Sequence, residues 1–296
     1  MTGNGTQLLI QAAAGHAFDR EAKAVESTGP RGDRAEDLGK QGDSTMPAAT
    51  TGPRPSQTDA ALEKIRSRII DLTMVPGSRI DEPLLLSDFG LGRTPAREAI
   101  NRLVAEGFVN VLPNRGGTFV RKLDLEEIGQ VVVAHQLAEN VLGQLLNLND
   151  DDMVADLVRI ENLYEEAVKN LDYLQITALN EDFHLRIHQS MGNTFFFEFA
   201  QSTHRHVRRL NVHLYQLEAA EPEARDEQFK KNIHEHEMII EAVRAKDRGK
   251  LATLLPEHAR GTQDRLVRIL QSKSVPGFEV ETRLADMLAA GLAPKS

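Results

Sequence analysis

The chain of 296 residues contains no cysteine. That absence excludes a disulfide framework, a thiolate metal site and a cysteine nucleophile. It also fits a reducing compartment, so we expect a cytoplasmic protein. No apolar run reaches the roughly 18 residues that a transmembrane helix needs. The short apolar piece from Leu8 to Ala14 has no basic residues before it, so we expect neither a signal peptide nor a membrane partner.

Several catalytic signatures are also missing. The sequence has no HExxH, no GxSxG and no glycine-rich phosphate loop, which argues against the common hydrolases and nucleotide enzymes. The net charge is −9, which is unusual for a protein that binds nucleic acid. The charge is nevertheless uneven, because residues 58–122 carry 10 basic and 8 acidic side chains, whereas residues 123–270 carry 16 and 26. The net charge is therefore +2 in residues 58–122 and −10 in residues 123–270, so the positive balance lies in the first of these two regions.

A short helix is predicted between Arg93 and Gly107. Thr94 is a suitable N-cap, Pro95 suits the first helical position, and Gly107 is a suitable stop. One face of this helix is apolar, with Ala96, Ala99, Ile100 and Leu103 in phase. Another face is polar and begins with two cations: Arg93, Thr94, Arg97 and Asn101. Positive charge at a helix N-terminus opposes the macrodipole, and a phosphate-bearing partner would remove that conflict.

The neighbouring segments complete a winged helix-turn-helix over residues 58–122. Apolar periodicity predicts a helix over 59–73, and a second short helix opens at Asp81 and ends at Phe89. Beyond Gly107, two short strands flank a turn at 113–117 and predict a hairpin wing. Residues 1–57 are rich in small polar and charged residues and are predicted to be a disordered or weakly structured tail.

These residues resemble the DNA-binding domain of GntR-type bacterial transcription regulators. The resemblance rests on Pro76-Gly77, on Arg93-Thr-Pro-Ala-Arg-Glu-Ala, on Arg102-Leu103, on Glu106-Gly107 and on Arg115-Gly116. It implies that operator DNA is contacted by one set of residues: Arg93, Thr94, Arg97, Asn101, Arg115, Gly116 and Gly117. An arginine fork can read guanine bidentately, and glycines let the backbone approach closely. The alternative is that the arginines are ordinary solvated surface charges.

The second region, 124–271, has the pattern of an all-α bundle of about six helices. Asp124 and Glu127 form a possible capping box for a first helix, whose buried side is predicted to contain Leu125, Ile128, Val132, Leu137, Val141 and Leu145. Later helices are predicted at 150–170, 172–191, 194–218, 224–246 and 248–271, with Asn193 and Asp247 as suitable caps. The protein is therefore predicted to be mainly α, with a small β-hairpin wing and a C-terminal tail at 272–296.

Four polar residues in the bundle could form a divalent-metal site. Asn180 and His184 are four residues apart on one predicted helix, and His236 and His258 lie on two later helices. From the residues alone, the alternative is that these histidines are surface or satisfied core residues, because the bundle carries six other histidines.

The bundle also resembles the FCD ligand-binding domain of the FadR subgroup of GntR-type regulators. The matching segments are Asn180-Glu-Asp-Phe-His184, Gly192-Asn193, His236-Glu-Met-Ile-Ile-Glu-Ala242 and His258. The resemblance implies that Asn180, His184, His236 and His258 bind a divalent metal ion, zinc or nickel being the best matches. This sequence has Asn180 where the family usually has aspartate, and an amide is a weaker ligand than a carboxylate.

The resemblance also implies a small organic acid as the effector. The family tends to have an arginine four residues before Glu139, where this chain has His135. Residues that could bind the acid are therefore His135, Arg186, Arg205 and Arg209. We expect a homodimeric repressor of transcription that binds double-stranded operator DNA and responds to this effector, not an enzyme. Two rivals are a metal-dependent enzyme using Glu181 and Asp182 and a helical scaffold with a non-functional DNA-binding domain.

Overall fold

A computed structural model describes residues 57–87, 89–112 and 116–272. The two predicted tails, 1–57 and 272–296, lie outside the described residues except for Gln57 and Ser272, which are each the terminal residue of a helix. Within the described part of the chain, no helix is both long enough and apolar enough to cross a membrane.

The first structured region is a winged helix. It contains α1 (Gln57–Ile70), β1 (Arg79–Ile80), α2 (Glu82–Ser87), α3 (Arg93–Ala105), β2 (Val109–Leu112) and β3 (Gly117–Val120). The strands form an antiparallel sheet in the order β1-β3-β2. The apolar stripes of α1 and α3 pack together over a core that includes Leu62, Ile65, Ala99 and Leu103. The two-residue strand β1 was not predicted, because so short a segment has no periodicity to detect.

The start of α3 differs from the prediction. The helix begins at Arg93 with Gly92 at the N-cap position, and no side chain caps it. The predictions that Thr94 is the N-cap and that Pro95 is the first helical residue are therefore wrong. Pro95 is instead the third residue, which the helix tolerates because N–H groups of the first turn have no intrahelical acceptor. Gly107 ends the helix as predicted, with a φ of +80° that favours glycine.

The second region is the predicted bundle. It consists of α4 (Leu125–Leu145), α5 (Met153–Lys169), α6 (Tyr173–Gln189), α7 (Thr194–Leu217), α8 (Pro222–Arg244) and α9 (Arg248–Ser272), with a short 3-10 turn at Glu218–Ala220. Side chains of Asp124, Asn193 and Asp247 accept hydrogen bonds from the backbone amides of Glu127, Phe196 and Lys250, respectively. These three residues therefore cap the starts of α4, α7 and α9 as predicted.

The buried face of α4 is the predicted one at Ile128 and Val132, which are buried, but not in the second half of the helix. Leu137 and Leu145 are 57% and 62% exposed, so their assignment to the core is wrong. The inward stripe instead passes through His135 and Glu139, which are 3% and 0% exposed. Apolarity alone misplaced this part of the face because the buried carboxylate of Glu139 is hydrogen-bonded to histidines of α6 and α7 inside the bundle. Gly143 lies on the same face, where an added Cβ would be 2.9 Å from the Cα of Ala252 in α9.

Candidate functional site

The outer face of α3 has the polar residues that the sequence predicts. Arg93, Thr94, Arg97 and Asn101 are all exposed, while the apolar stripe faces the winged-helix core. Arg93, Arg97 and Asn101 line a groove between α3 and the wing strands, whose other wall includes Val111 and Thr118. This face lies open and carries positive charge, as a helix that enters a DNA groove requires.

The tip of the wing is glycine-rich. Gly116 has a φ of +58° and nothing within 4 Å of an added Cβ, so its backbone is open to a partner. An added Cβ on Gly117 would be 3.2 Å from the ring of Phe119 and 3.3 Å from Arg79 Nε. The guanidinium of Arg79 donates to the Gly116 carbonyl at 3.3 Å. Arg115, the remaining predicted DNA contact, lies outside the described residues.

Three of the four predicted metal ligands meet inside the bundle. His184 of α6, His236 of α8 and His258 of α9 each offer a ligand atom, and these atoms all lie within 4.8 Å of one another. We call these residues the histidine triad. All three are buried. The fourth predicted ligand, Asn180, lies one helical turn before His184 and lines the same polar cavity as His258.

Each histidine of the triad is held by a carboxylate through Nδ1. His184 Nδ1 lies 3.1 Å from Glu139, His236 Nδ1 lies 2.7 Å from Glu161, and His258 Nδ1 lies 2.7 Å from Glu235. The Nε2 atoms of His184 and His236 are buried and make no hydrogen bond. Carboxylates that fix Nδ1 and leave Nε2 available are the usual outer partners of metal-binding histidines.

Burial sets the protonation of these groups. It lowers the pKa of His184 to about 4, with Glu139 opposing the shift, and it lowers the pKa of His236 well below its ordinary value. Both imidazoles are therefore neutral at neutral pH, which is the form that binds a metal ion. Burial also raises the pKa of Glu161 to about 8. Burial alone would likewise raise the pKa of Glu139, but His184 and His188 hold it well below its ordinary value.

A polar cavity adjoins the histidine triad. Its wall includes side chains from five helices of the bundle: His135, Thr177, Asn180, Asn211, Tyr215, Gln228, Asn232, His258, Thr262 and Arg265. The guanidinium of Arg265 is paired with buried Glu218 through contacts of 2.5 to 2.9 Å and lies 3.8 Å from the ring centre of Tyr215. The cavity therefore offers neutral hydrogen-bonding groups beside one arginine whose charge is already balanced.

The four residues predicted to bind an acidic effector do not come together. His135 lines the cavity, but Arg186 is engaged at 2.7 to 3.1 Å with Asp150 and Asp156, between α5 and α6. Arg205 is part-exposed and is not among the residues that line the cavity. Arg209 does not line the cavity either, because it is fully buried and donates to the Arg121 carbonyl.

Arg209 belongs to a contact between the bundle and the winged helix, formed by α7. His206 Nε2 lies 2.9 Å from the Glu106 carbonyl, just beyond the end of α3. The ring of His206 stacks on Phe108 at a centroid distance of 4.2 Å. Farther along the same helix, Asn211 and Tyr215 line the polar cavity. One helix therefore touches both the DNA-binding region and the cavity.

Sequence reasoning missed the carboxylates that hold the triad. The sequence does contain a pattern that points to Glu139 and Glu161. Each is in phase with the buried stripe of its helix, and a buried acid requires a hydrogen-bonding partner. Glu161, for example, lies between Leu157 and Tyr164, which are both buried. Glu235 has no such signal, because it follows His234 directly and bonds to a histidine on another helix.

Comparisons with known proteins agree with both regions. Residues 57–120 match the family described as bacterial regulatory proteins, gntR family, and residues 132–261 match the FCD domain. An uncharacterized HTH-type transcriptional regulator of Streptomyces ambofaciens is 28% identical over 75% of this chain and 89% of its own length. The gluconate operon transcriptional repressor of Bacillus licheniformis is 26% identical over 69% of this chain and 82% of its own.

Solved structures share the fold. A putative GntR transcriptional regulator from Rhodococcus sp. RHA1 has a TM-score of 0.60 at 20% identity, and it covers 74% of this chain and 100% of its own. The McbR/YncC protein of E. coli has a TM-score of 0.59 at 21% identity, and the match covers 74% of this chain and 99% of the E. coli chain. The matched families contain transcriptional regulators and not enzymes. The chain therefore belongs to the GntR family of bacterial transcriptional regulators, in the FadR subgroup that carries an FCD effector-binding domain.

Proposed function

We propose that this regulator is a homodimeric repressor whose operator affinity is set by a small organic acid bound beside a divalent metal ion in the bundle. In this proposal, residues 58–122 bind DNA and residues 124–271 bind the metal ion and the effector. The observation that carries the proposal is the histidine triad, in which every Nδ1 is held by a carboxylate and two buried Nε2 atoms have no partner.

The residues of the triad fit a divalent metal ion. Three imidazoles with Asn180 beside them form a nitrogen-rich donor set that suits zinc or nickel. The orphaned Nε2 atoms of His184 and His236 support this assignment, because a buried imidazole nitrogen without a partner costs stability. Asn180 would contribute a neutral oxygen and a weaker bond than aspartate.

The polar cavity is the place proposed for the effector. A bound divalent ion would act as a Lewis acid that attracts a carboxylate oxygen. The amides of Asn211 and Asn232 and the hydroxyl of Thr262 are hydrogen-bonding partners for the rest of a small polar acid. Two relatives are named for the gluconate operon, and that name supports a small organic acid and repression as starting hypotheses.

Helix α7 is proposed to couple the two regions. An effector that binds one arrangement of the bundle better than another would shift α7 between two positions. Because His206 and Arg209 contact the winged helix, such a shift would move α3 and the wing. In a homodimer on a two-fold operator, this movement would change the spacing of the two recognition helices and thus the operator affinity.

The proposal is tested by metal analysis and operator binding on the same preparations. We expect His236→Ala to lose the metal ion bound by the triad and to keep operator affinity and the helical circular dichroism signal. Asp182→Asn is the matched control, since Asp182 is an exposed acid on the helix of His184, and it should change neither property. A His236→Ala protein that is folded and retains its full metal content would refute the assignment of the triad.

The two rival functions make different predictions. The enzyme hypothesis assigns the catalytic acid to Glu181 or Asp182, but Asp182 is exposed and the partners of Glu181 include Arg208 at 3.4 Å. A helical scaffold would show no preference for operator DNA. A gel shift with the DNA upstream of the gene distinguishes the regulator, which should give a palindromic footprint and an affinity that falls steeply with salt.

A further inference from the structure

A second group of metal-binding side chains surrounds Glu139, beyond the histidine triad. Glu139 Oε1 lies 2.9 Å from His188 Nε2 and 2.9 Å from His204 Nε2, and these two nitrogens are 3.4 Å apart. His135 precedes Glu139 by one turn of α4, and ligand atoms of His135, Glu139 and His204 all lie within 4.8 Å of one another. We call these four residues the Glu139 cluster.

The Glu139 cluster is as buried as the triad and is incompletely satisfied. The exposed fractions of its four side chains range from 0% to 3%. His135 Nε2 and His188 Nδ1 are buried without a hydrogen-bond partner. The hydrogen-bond partners of the Glu139 carboxylate in the described part of the chain are imidazoles, so no lysine or arginine hydrogen-bonds to this buried acid. A cation placed among these groups would bind the orphaned His135 nitrogen and balance the carboxylate.

One pair of donor atoms has the separation expected in tetrahedral coordination. Zinc ligands lie about 2.0–2.1 Å from the metal, which places two tetrahedral ligands about 3.4 Å apart. The two nitrogens of His188 and His204 already have that separation, and the oxygen of Glu139 is 0.5 Å closer to each of them. We propose that His135, Glu139, His188 and His204 form a second divalent-cation site, separate from the triad and of three-nitrogen, one-oxygen composition.

The second site would join three helices of the bundle. Its residues come from α4, α6 and α7, and the other oxygen of Glu139 holds His184 of the triad at 3.1 Å. His204 lies two residues before His206, which contacts the winged helix. Occupancy would therefore fix α7 against α4 and α6 next to the contact with the DNA-binding region.

The number of bound ions tests this site independently of the triad. Protein stripped with a chelator is equilibrated with Zn²⁺, separated from free metal and analysed by mass spectrometry. We expect two zinc ions per wild-type chain, one in His188→Ala and one in His236→Ala, with none in the double variant. His234→Ala is the matched control, because His234 is 69% exposed on α8, and it should retain two ions.

Two results would overturn the second site: His188→Ala retains the wild-type number of ions, or that single variant loses both ions of a wild-type chain that binds two. If His188→Ala fails to give a folded circular dichroism spectrum, His135→Ala provides the same test from another helix. Failure of the triad assignment has a different signature, because His236→Ala would then retain the wild-type number of ions while His188→Ala still lost one.

Discussion

Arg97 provides the sharpest test of the DNA-binding face. It is exposed on the outer face of α3, it lines the groove between that helix and the wing, and it lies four residues after Arg93. An arginine that reads a guanine bidentately contributes about 1–3 kcal/mol of discrimination. Arg97→Ala should therefore reduce the preference for operator over shuffled DNA by about 5- to 150-fold per half-site.

The matched control is Arg102→Ala. Arg102 is on the same helix and is also exposed, but its guanidinium pairs with Asp59 of α1 at 2.6 Å. Removing this pair should cost at most about 1 kcal/mol of stability and leave the operator preference unchanged. Fluorescence anisotropy with labelled operator and shuffled duplexes, at several salt concentrations, measures both quantities.

The salt dependence distinguishes two roles for Arg97. If Arg97 reads bases, its loss lowers operator affinity much more than affinity for shuffled DNA. Equal weakening on both duplexes, with the slope of log K against log salt reduced by about one, would mean that Arg97 contacts only phosphate. That result would refute the assignment of Arg97 as a base-reading residue.

Three further predictions concern packing, pH and coupling. Gly143→Ala should destabilise the bundle by about 1–2 kcal/mol, because the added methyl group meets the α9 backbone, whereas Gly261→Ala in open space should stabilise it by up to about 1 kcal/mol. Arg186 lowers the pKa of Asp150, so the stabilisation from this pair is present above about pH 4 and is lost as the pH falls through the lowered pKa. The loss of thermal stability in Arg186→Gln should therefore be largest near pH 7 and shrink below pH 4. His206→Ala should keep the metal content and weaken the response of operator binding to organic acids.

Each of these three has a clear contrary result. Equal stabilities for Gly143→Ala and Gly261→Ala in chemical denaturation would mean that α4 and α9 do not approach as closely as described. A loss of stability in Arg186→Gln that stayed constant from pH 7 to pH 3 would exclude a folded-state shift of Asp150. An unchanged acid response in His206→Ala would remove the α7 contact from the coupling mechanism.

The sequence predicted the fold correctly where the preferences of neighbouring residues determine the structure. Asp124, Asn193 and Asp247 cap helices because a short polar side chain before an apolar-periodic stretch satisfies the first free amides. The same rules placed the recognition helix two residues late, since Thr94 and Pro95 are good starting residues and Gly92 carries no capping side chain.

The candidate sites were less accessible to sequence reasoning. The triad histidines could be predicted as metal ligands because they match positions of the family's metal ligands. Their glutamate partners come from other helices, and pairings such as His258 with Glu235 depend on how the helices pack. The second half of α4 was misassigned because apolar Leu137 is exposed while polar Glu139 is buried. Where a buried face is built from charged and ring-nitrogen groups, hydrophobic periodicity identifies the wrong side of the helix.

The central claim is that occupancy of the polar cavity changes operator binding through α7. The most direct measurement is the operator dissociation constant of the zinc-loaded protein across a panel of small organic acids, each also tested for thermal stabilisation of the protein alone. The account predicts that an acid that stabilises the protein also changes operator affinity by at least about fivefold. Acids that raise the unfolding temperature but leave the operator dissociation constant unchanged would contradict it.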